Sequence, residues 1–183
     1  MVNGVTRTAR ISHCRQYRFT LGRHWDQRPV LLVVMFNPSR ADASKDDPTV
    51  QLLCHVAAHN GFGGITVVNG IPLRSPEPGD AADMVNTWDK RQAWDERDIL
   101  HHNMAIVLEE VAKAGAVLLA WGTLARRCPA WFDHVEEQIR EVLPASSGLY
   151  CLGRTKEGYP KHPLARGVHK VRADSPLVPW GLR

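Results

Sequence analysis

The sequence predicts an α/β fold in three layers around a mainly parallel, four-stranded central sheet. Three observations carry that prediction. Short apolar runs recur at residues 30–36, 65–68, 117–120 and 149–152, as expected of strands buried on both faces. Segments with helical spacing of apolar residues separate them, and alternating strands and helices make a parallel sheet covered on both sides. The first three runs stop on distinctive residues, Asn37, Asn69 and Trp121-Gly122, and His162 lies in the loop after the fourth. In open α/β sheets ligands bind beyond the carboxyl ends of the strands, so these residues mark a candidate site.

In chain order, residues 16–21 (Gln16-Tyr17-Arg18-Phe19-Thr20-Leu21) alternate polar and apolar and predict an edge strand. The run at 30–36 is the first buried strand. Asp47 then has the character of a helix N-cap, with Pro48 at the first helical position. Val50, Leu53, Cys54, Ala57 and Ala58 form the apolar face of that helix, and Asn60-Gly61 ends it. The strand at 65–68 runs into Asn69-Gly70, followed by a Pro-rich loop over 71–79. A helix over 94–113 presents Ile99, Met104, Ile106, Val107 and Val111, with Gly115 after it. The strand at 117–120 ends at Trp121-Gly122, a helix spans 131–143, and the strand at 149–152 leads into Lys161-His162-Pro163-Leu164. There is no internal repeat, low-complexity tract or long linker, so residues 1–183 are expected to form one domain.

The chain is 44% hydrophobic and 23% charged, within the range of ordinary globular proteins. No apolar run approaches the roughly 20 residues that span a bilayer, and the N-terminus lacks the apolar core of a secretory signal. A cytoplasmic location is the expectation. Four scattered cysteines, Cys14, Cys54, Cys128 and Cys151, match neither a zinc knuckle nor a redox pair. They are expected to be reduced and mostly packed. His55 and His59 lie one helical turn apart, but no third ligand accompanies them; neither metal nor cofactor is expected. Trp88, Trp94 and Trp131 sit in helical context and are expected to pack.

Charge is uneven. Six arginines lie in residues 7–28 against Asp26, and six basic residues in 154–172 against Glu157, while 77–111 is acidic. Two basic ends suit a polyanion such as DNA or RNA if they meet in space, and equally suit a solvated surface. Arg18, Arg23, Arg154, Lys156, Lys161 and Arg166 are the residues expected to meet nucleic-acid phosphates.

Neither a G-x-G-x-x-G nor a P-loop pattern follows the first strand, and Ser39 lacks a nucleophile-elbow context. The remaining candidates each have two readings. Asn37 and Asn69 suit strand-end turns or a site. Asp47 suits an N-cap or an acid–base role, and Asp46 a solvated neighbour or the same role. Trp121 suits the core or a stacking face.

Taken together, Phe36-Asn37-Pro38-Ser39, Val67-Val68-Asn69, Leu119-Ala120-Trp121-Gly122 and Lys161-His162-Pro163-Leu164 resemble four motifs of the uracil-DNA glycosylase superfamily. The Asn-Pro form is most similar to its mismatch-specific branch. Nearly the whole chain, with Asn-Pro-Ser, Asp46-Asp47-Pro48-Thr49, Ala-Trp-Gly and His-Pro-Leu, resembles an uncharacterised bacterial and phage domain family. The last motif reads His-Pro-Leu rather than His-Pro-Ser, and the cysteines do not match the iron–sulfur branch.

The superfamily resemblance implies a glycosylase-like fold and a nucleobase N-glycosidic hydrolase acting on DNA, in repair or modification, or on a nucleotide. Such chemistry passes through an oxocarbenium-like sugar and needs a placed water and a stabilised leaving base. Asn37 would orient the water, Asp46 or Asp47 would serve as base, and His162 would donate to the departing base. Asn69 would read the base edge. Pro38, Ser39, Trp121, Gly122, Pro163 and Leu164 would line the substrate site. The competing expectations are a non-catalytic nucleotide- or nucleic-acid-binding module with the same pocket, and a metal-dependent nucleotide-processing enzyme using Asp46 and Asp47. No obligate protein partner is inferred.

Overall fold

The structure is a computed structural model that describes residues 4–87 and 94–181, with the side chains of 98–181 in the second stretch. Trp88 and the Trp94 side chain lie outside the described residues. Strands and helices follow in the order β1 (Thr6–Ile11), β2 (Arg18–His24), β3 (Val30–Met35), α1 (Pro48–His59), β4 (Gly64–Asn69), α2 (Pro78–Asn86), α3 (Trp94–Lys113), β5 (Ala116–Leu119), α4 (Pro129–Val142), β6 (Gly148–Cys151) and β7 (Val178–Pro179).

The α/β class is as predicted, but the sheet is larger and more mixed than four parallel strands. Its seven strands stand in the order β1-β2-β4-β3-β5-β6-β7. The four strands legible as apolar runs lie side by side and parallel in the middle. β1 and β2 on one flank and β7 on the other add antiparallel pairings. β2 is therefore not an edge: its outer side pairs with β1, whose side chains are mostly exposed.

Alternation along the parallel strands divides the molecule into two cores. Leu31, Val33 and Met35 of β3, with Ile65 and Val67 of β4, pack on Val50, Leu53, Val56 and Ala57 of α1. Leu32, Val34 and Phe36 face the other way, into a core with residues of α2, α3 and α4. The sheet is thus covered on both faces, and period-two alternation assigns each strand residue to one of them.

α1 has the limits its sequence predicts. Asp47 accepts from the Val50 backbone N–H at 2.9 Å, Pro48 is at the first turn, and Asn60 is the C-cap. α2 begins inside the Pro-rich segment expected as loop over 71–79 and continues to Asn86; proline is well placed in a first helical turn.

The connections set the position of the site. β3 leads to α1 on one face, whereas β5 leads through a 3-10 turn (Gly122–Arg127) to α4 on the other. Neighbouring parallel strands whose exits diverge leave a crevice at their carboxyl ends.

Candidate functional site

A cavity of about 220 Å³ lies in that crevice, lined by residues that include Arg18, Asn37, Ser39, Asp47, Ser75 and His162. Met35, Phe36 and Val67 contribute apolar surface from the strand ends, and Leu124 comes from the turn after β5. Larger surface hollows exist around α4 and at the other end of the sheet, but they hold none of the strand-end motifs.

Asn37 is fixed by its amide nitrogen. Nδ2 donates to the backbone carbonyls of Pro38, Leu73 and Ser75 at 3.1, 3.2 and 3.0 Å. These bonds tie the loop after β3 to the Pro-rich segment, which also joins it through the Ser75 N–H to the Pro38 carbonyl. No described residue donates to Oδ1, so the carbonyl oxygen is left as the acceptor at the pocket. Three carbonyls facing one nitrogen explain an amide here, because a carboxylate would turn an oxygen toward them.

Asp46 and Asp47 are separated by their surroundings. Asp46 is ion-paired to Arg7 and to buried Arg23, both at 2.7 Å, and does not line the cavity. Arg23 is 1% exposed and also donates to the carbonyls of Gly22, Asp42 and Lys45, so it clamps the loop before α1. Asp47 spends Oδ1 on capping α1 and still lines the cavity. Asp47 is thus the N-cap of α1 and also a cavity residue, whereas Asp46 is an ion-pair partner outside the cavity.

His162 is placed by a close approach of two loops. The Gly122 N–H donates to the Pro160 carbonyl at 2.9 Å, and Lys161 N–H donates to the Gly153 carbonyl. Gly122 has φ +72°, and a Cβ on it would lie 2.8 Å from His162 Cβ. Glycine is required on both counts. His162 Nδ1 accepts from the Leu164 N–H at 3.1 Å. A backbone N–H can only donate, so the ring proton is on Nε2. Burial pushes the His162 pKa down to about 4, against a smaller opposing pull from Asp47. At neutral pH the ring is therefore uncharged and carries one donor.

Other expected site residues are elsewhere. Asn69 is fully buried and does not line the cavity; its carbonyl accepts from Asn103 Nδ2 at 2.9 Å. Trp121 is 1% exposed in the α2–α4 core, its ring 5.2 Å from that of Phe132, and offers no stacking face. Pro38 and Pro163 are buried beside the site residues, Gly122 supports His162, and Leu164 is 43% exposed outside the cavity. Of the six expected phosphate contacts, Arg18 and Arg23 are buried. Arg154 lies over the Trp180 ring at 3.8 Å, Lys161 is half-buried against Gly153, and Lys156 and Arg166 are exposed. His55 and His59 are both exposed, and among the described residues no three His, Cys, Asp or Glu side chains cluster to hold a metal.

Sequence reasoning missed Arg18 as a cavity residue, along with Thr49, Ser75, Pro76 and Pro78. Thr49 had a signal, its place in the first turn of α1. The Pro-rich segment had another, its freedom to cross the strand ends.

No curated protein and no solved structure matches the chain. A family model described as "Protein of unknown function (DUF1643)" matches residues 18–164, a stretch holding every residue of the cavity from Arg18 to His162. With most of its length matched, the chain belongs to the DUF1643 family.

Proposed function

We propose that this protein hydrolyses a nucleobase–sugar linkage, in DNA or in a nucleotide, with a fold similar to that of uracil-DNA glycosylases. The observation that carries the reading is the meeting of Asn37, Asp47 and neutral His162 on one cavity at the carboxyl ends of β3 and β5. At about 220 Å³ the cavity is below the roughly 300–1,000 Å³ of drug-sized sites and takes only part of a nucleotide, the remainder lying at its mouth.

Each residue has a part in that reaction. The Asn37 carbonyl oxygen orients the attacking water without taking its proton outright. The second Asp47 oxygen, not used by the helix cap, accepts the proton and faces the positive charge that develops on the sugar. His162 Nε2–H donates to the atom on which the departing base collects negative charge. A neutral donor suits this step, since it stabilises the transition state more than the bound substrate. The base-reading role expected of Asn69 has no counterpart at the cavity, so selectivity falls to the residues that line it.

The test is release of free base from uracil-, mismatch- and modified-base DNAs and from free nucleosides and nucleotides. Loss of one donor in a water-excluded site costs about 100- to 1000-fold in rate, so His162→Ala should lose that much while remaining folded. Asn37→Ala should fall similarly. Wild type that releases no base from any substrate would point to the binding module. Full activity in His162→Ala would remove the leaving-group role.

A further inference from the structure

Arg18 is the charged cavity residue that the glycosidic chemistry leaves unused. It is 3% exposed yet lines the cavity. Its reach into the site comes from an irregularity in the sheet. Arg10 pairs with Thr20 and Ile11 with Arg18, so Phe19 is left without a partner across the ladder. Leu21 packs on the α1 side, Phe19 turns its ring to His102 of α3 at 5.0 Å, and Arg18 donates to the Ala41 carbonyl in the loop before α1. A bulge of this kind re-aims side chains and recurs next to functional sites.

The guanidinium is poorly compensated. Nη1 donates to Ala41 O at 2.9 Å, but Nε is buried with no partner. Among the described residues Arg18 makes no ion pair, and Arg23 and Arg74 add positive potential nearby. Asp47 and, more weakly, Asp42 supply the opposing field, but Oδ1 of Asp47 is held by the cap of α1 and Oδ1 of Asp42 by the Ser44 and Lys45 N–H groups. Burial brings the Arg18 pKa down only to about 10, so it stays charged at neutral pH. A buried charge without a partner is costly to a fold. The Ser39 and Thr49 side chains and the first turn of α1 share the cavity with it, and helix N-termini favour anions.

We infer that Arg18 is a ligand-binding residue that receives a compact oxyanion, the terminal phosphate of a mononucleotide. The guanidinium fork matches phosphate geometry. A terminal phosphate is favoured over a nucleic-acid backbone because the arginine is almost wholly buried in a small cavity. Arg23, the other buried arginine expected to meet a backbone, is consumed by the loop clamp. The free oxygen of Asp47 asks for a donor, which the water held at the sugar of a bound nucleotide supplies and a bare anion does not. The nucleotide part of this inference rests on the proposed glycosidic reading.

The test is thermal unfolding of the full chain at constant ionic strength set with potassium chloride. Ligands are inorganic phosphate, nucleoside monophosphates, the matching nucleosides and short single-stranded DNA. A ligand that binds only the folded state raises the unfolding temperature. Wild type should be stabilised by phosphate and more by monophosphates, with little effect of nucleosides. Arg18→Met removes an unpaired buried charge, so without ligand it should unfold at the wild-type temperature or above it. It should lose the phosphate response and at least tenfold in monophosphate affinity, whereas Arg18→Lys should keep part of both. Equal stabilisation by nucleoside and monophosphate, or an unchanged phosphate response in Arg18→Met, would overturn the assignment. DNA stabilising as well as a monophosphate would move the anion to a polymer backbone and overturn the mononucleotide. Low unfolding temperatures for both variants would make Arg18 a structural residue. Base release is not read in this experiment, so the two proposals fail separately: phosphate binding without base release removes the hydrolase and leaves the Arg18 site.

Discussion

The ring of His162 joins a backbone hydrogen bond, a tautomer and a titration. In the unfolded chain a histidine titrates near its ordinary value of about 6.5, whereas in the fold burial holds it down to about 4. As pH falls below about 6.5 the unfolded chain takes up this proton first, so stability declines between about 6.5 and about 4 and then levels. At about 1.4 kcal/mol per pH unit the contribution is at most about 3.5 kcal/mol. It should be seen as a fall in denaturant-unfolding free energy across that window, and His162→Gln should flatten that part of the profile. Protonation would also break the acceptance of the Leu164 N–H by Nδ1, so the same pH change should loosen the His-Pro loop.

Among the elements, the site depends on two loops that touch. The 3-10 turn after β5 and the loop after β6 meet where Gly122 abuts His162. Gly122→Ala would add a methyl against His162 Cβ at 2.8 Å and impose a residue with a Cβ at φ +72°. Strain of about 1–3 kcal/mol is expected from the backbone alone, with the His162 loop displaced. Lower stability in urea together with a changed His162 ring signal by NMR would check it; wild-type stability would show that the loops separate freely. On the opposite wall, the clamp of Arg23 on the loop before α1 fixes which of two adjacent acids faces the cavity.

At the scale of the molecule, the chain closes through its C-terminal strand. Trp180 is 3% exposed, its Nε1 donates to Glu136 of α4 at 2.8 Å, and Arg154 lies over its ring. Trp180, directly after β7, thereby ties the far edge of the sheet to α4 and to the segment that leads to His162. Large-to-small core replacement of tryptophan costs about 3–5 kcal/mol, so Trp180→Ala should lower stability by that order in a two-state urea titration, while a change under about 1 kcal/mol would show that β7 is peripheral. The described residues contain no helix long and apolar enough to cross a membrane.

Features that depend on neighbours along the chain are legible in the residues themselves. The apolar runs named the four parallel strands, Asp47-Pro48 and Asn60 delimited α1, and Asn37 and His162 followed strand ends. Features that depend on distant partners emerge only in the folded chain. β1 and β7 are short or exposed strands whose identity comes from the ladder they join, not from apolar pattern. Asp46 and Asp47 are alike in sequence; only Arg7 and Arg23, far away in the chain, draw one of them out of the site. Asn69 and Trp121 end strands as Asn37 does, yet packing from α3 and α4 covers them. Arg18 and Arg23 belong to a basic stretch that suggests a surface, and both are interior because β2 lies inside β1 with a bulge at Phe19. Burial is set by long-range packing, and a charge pattern along the chain does not contain it.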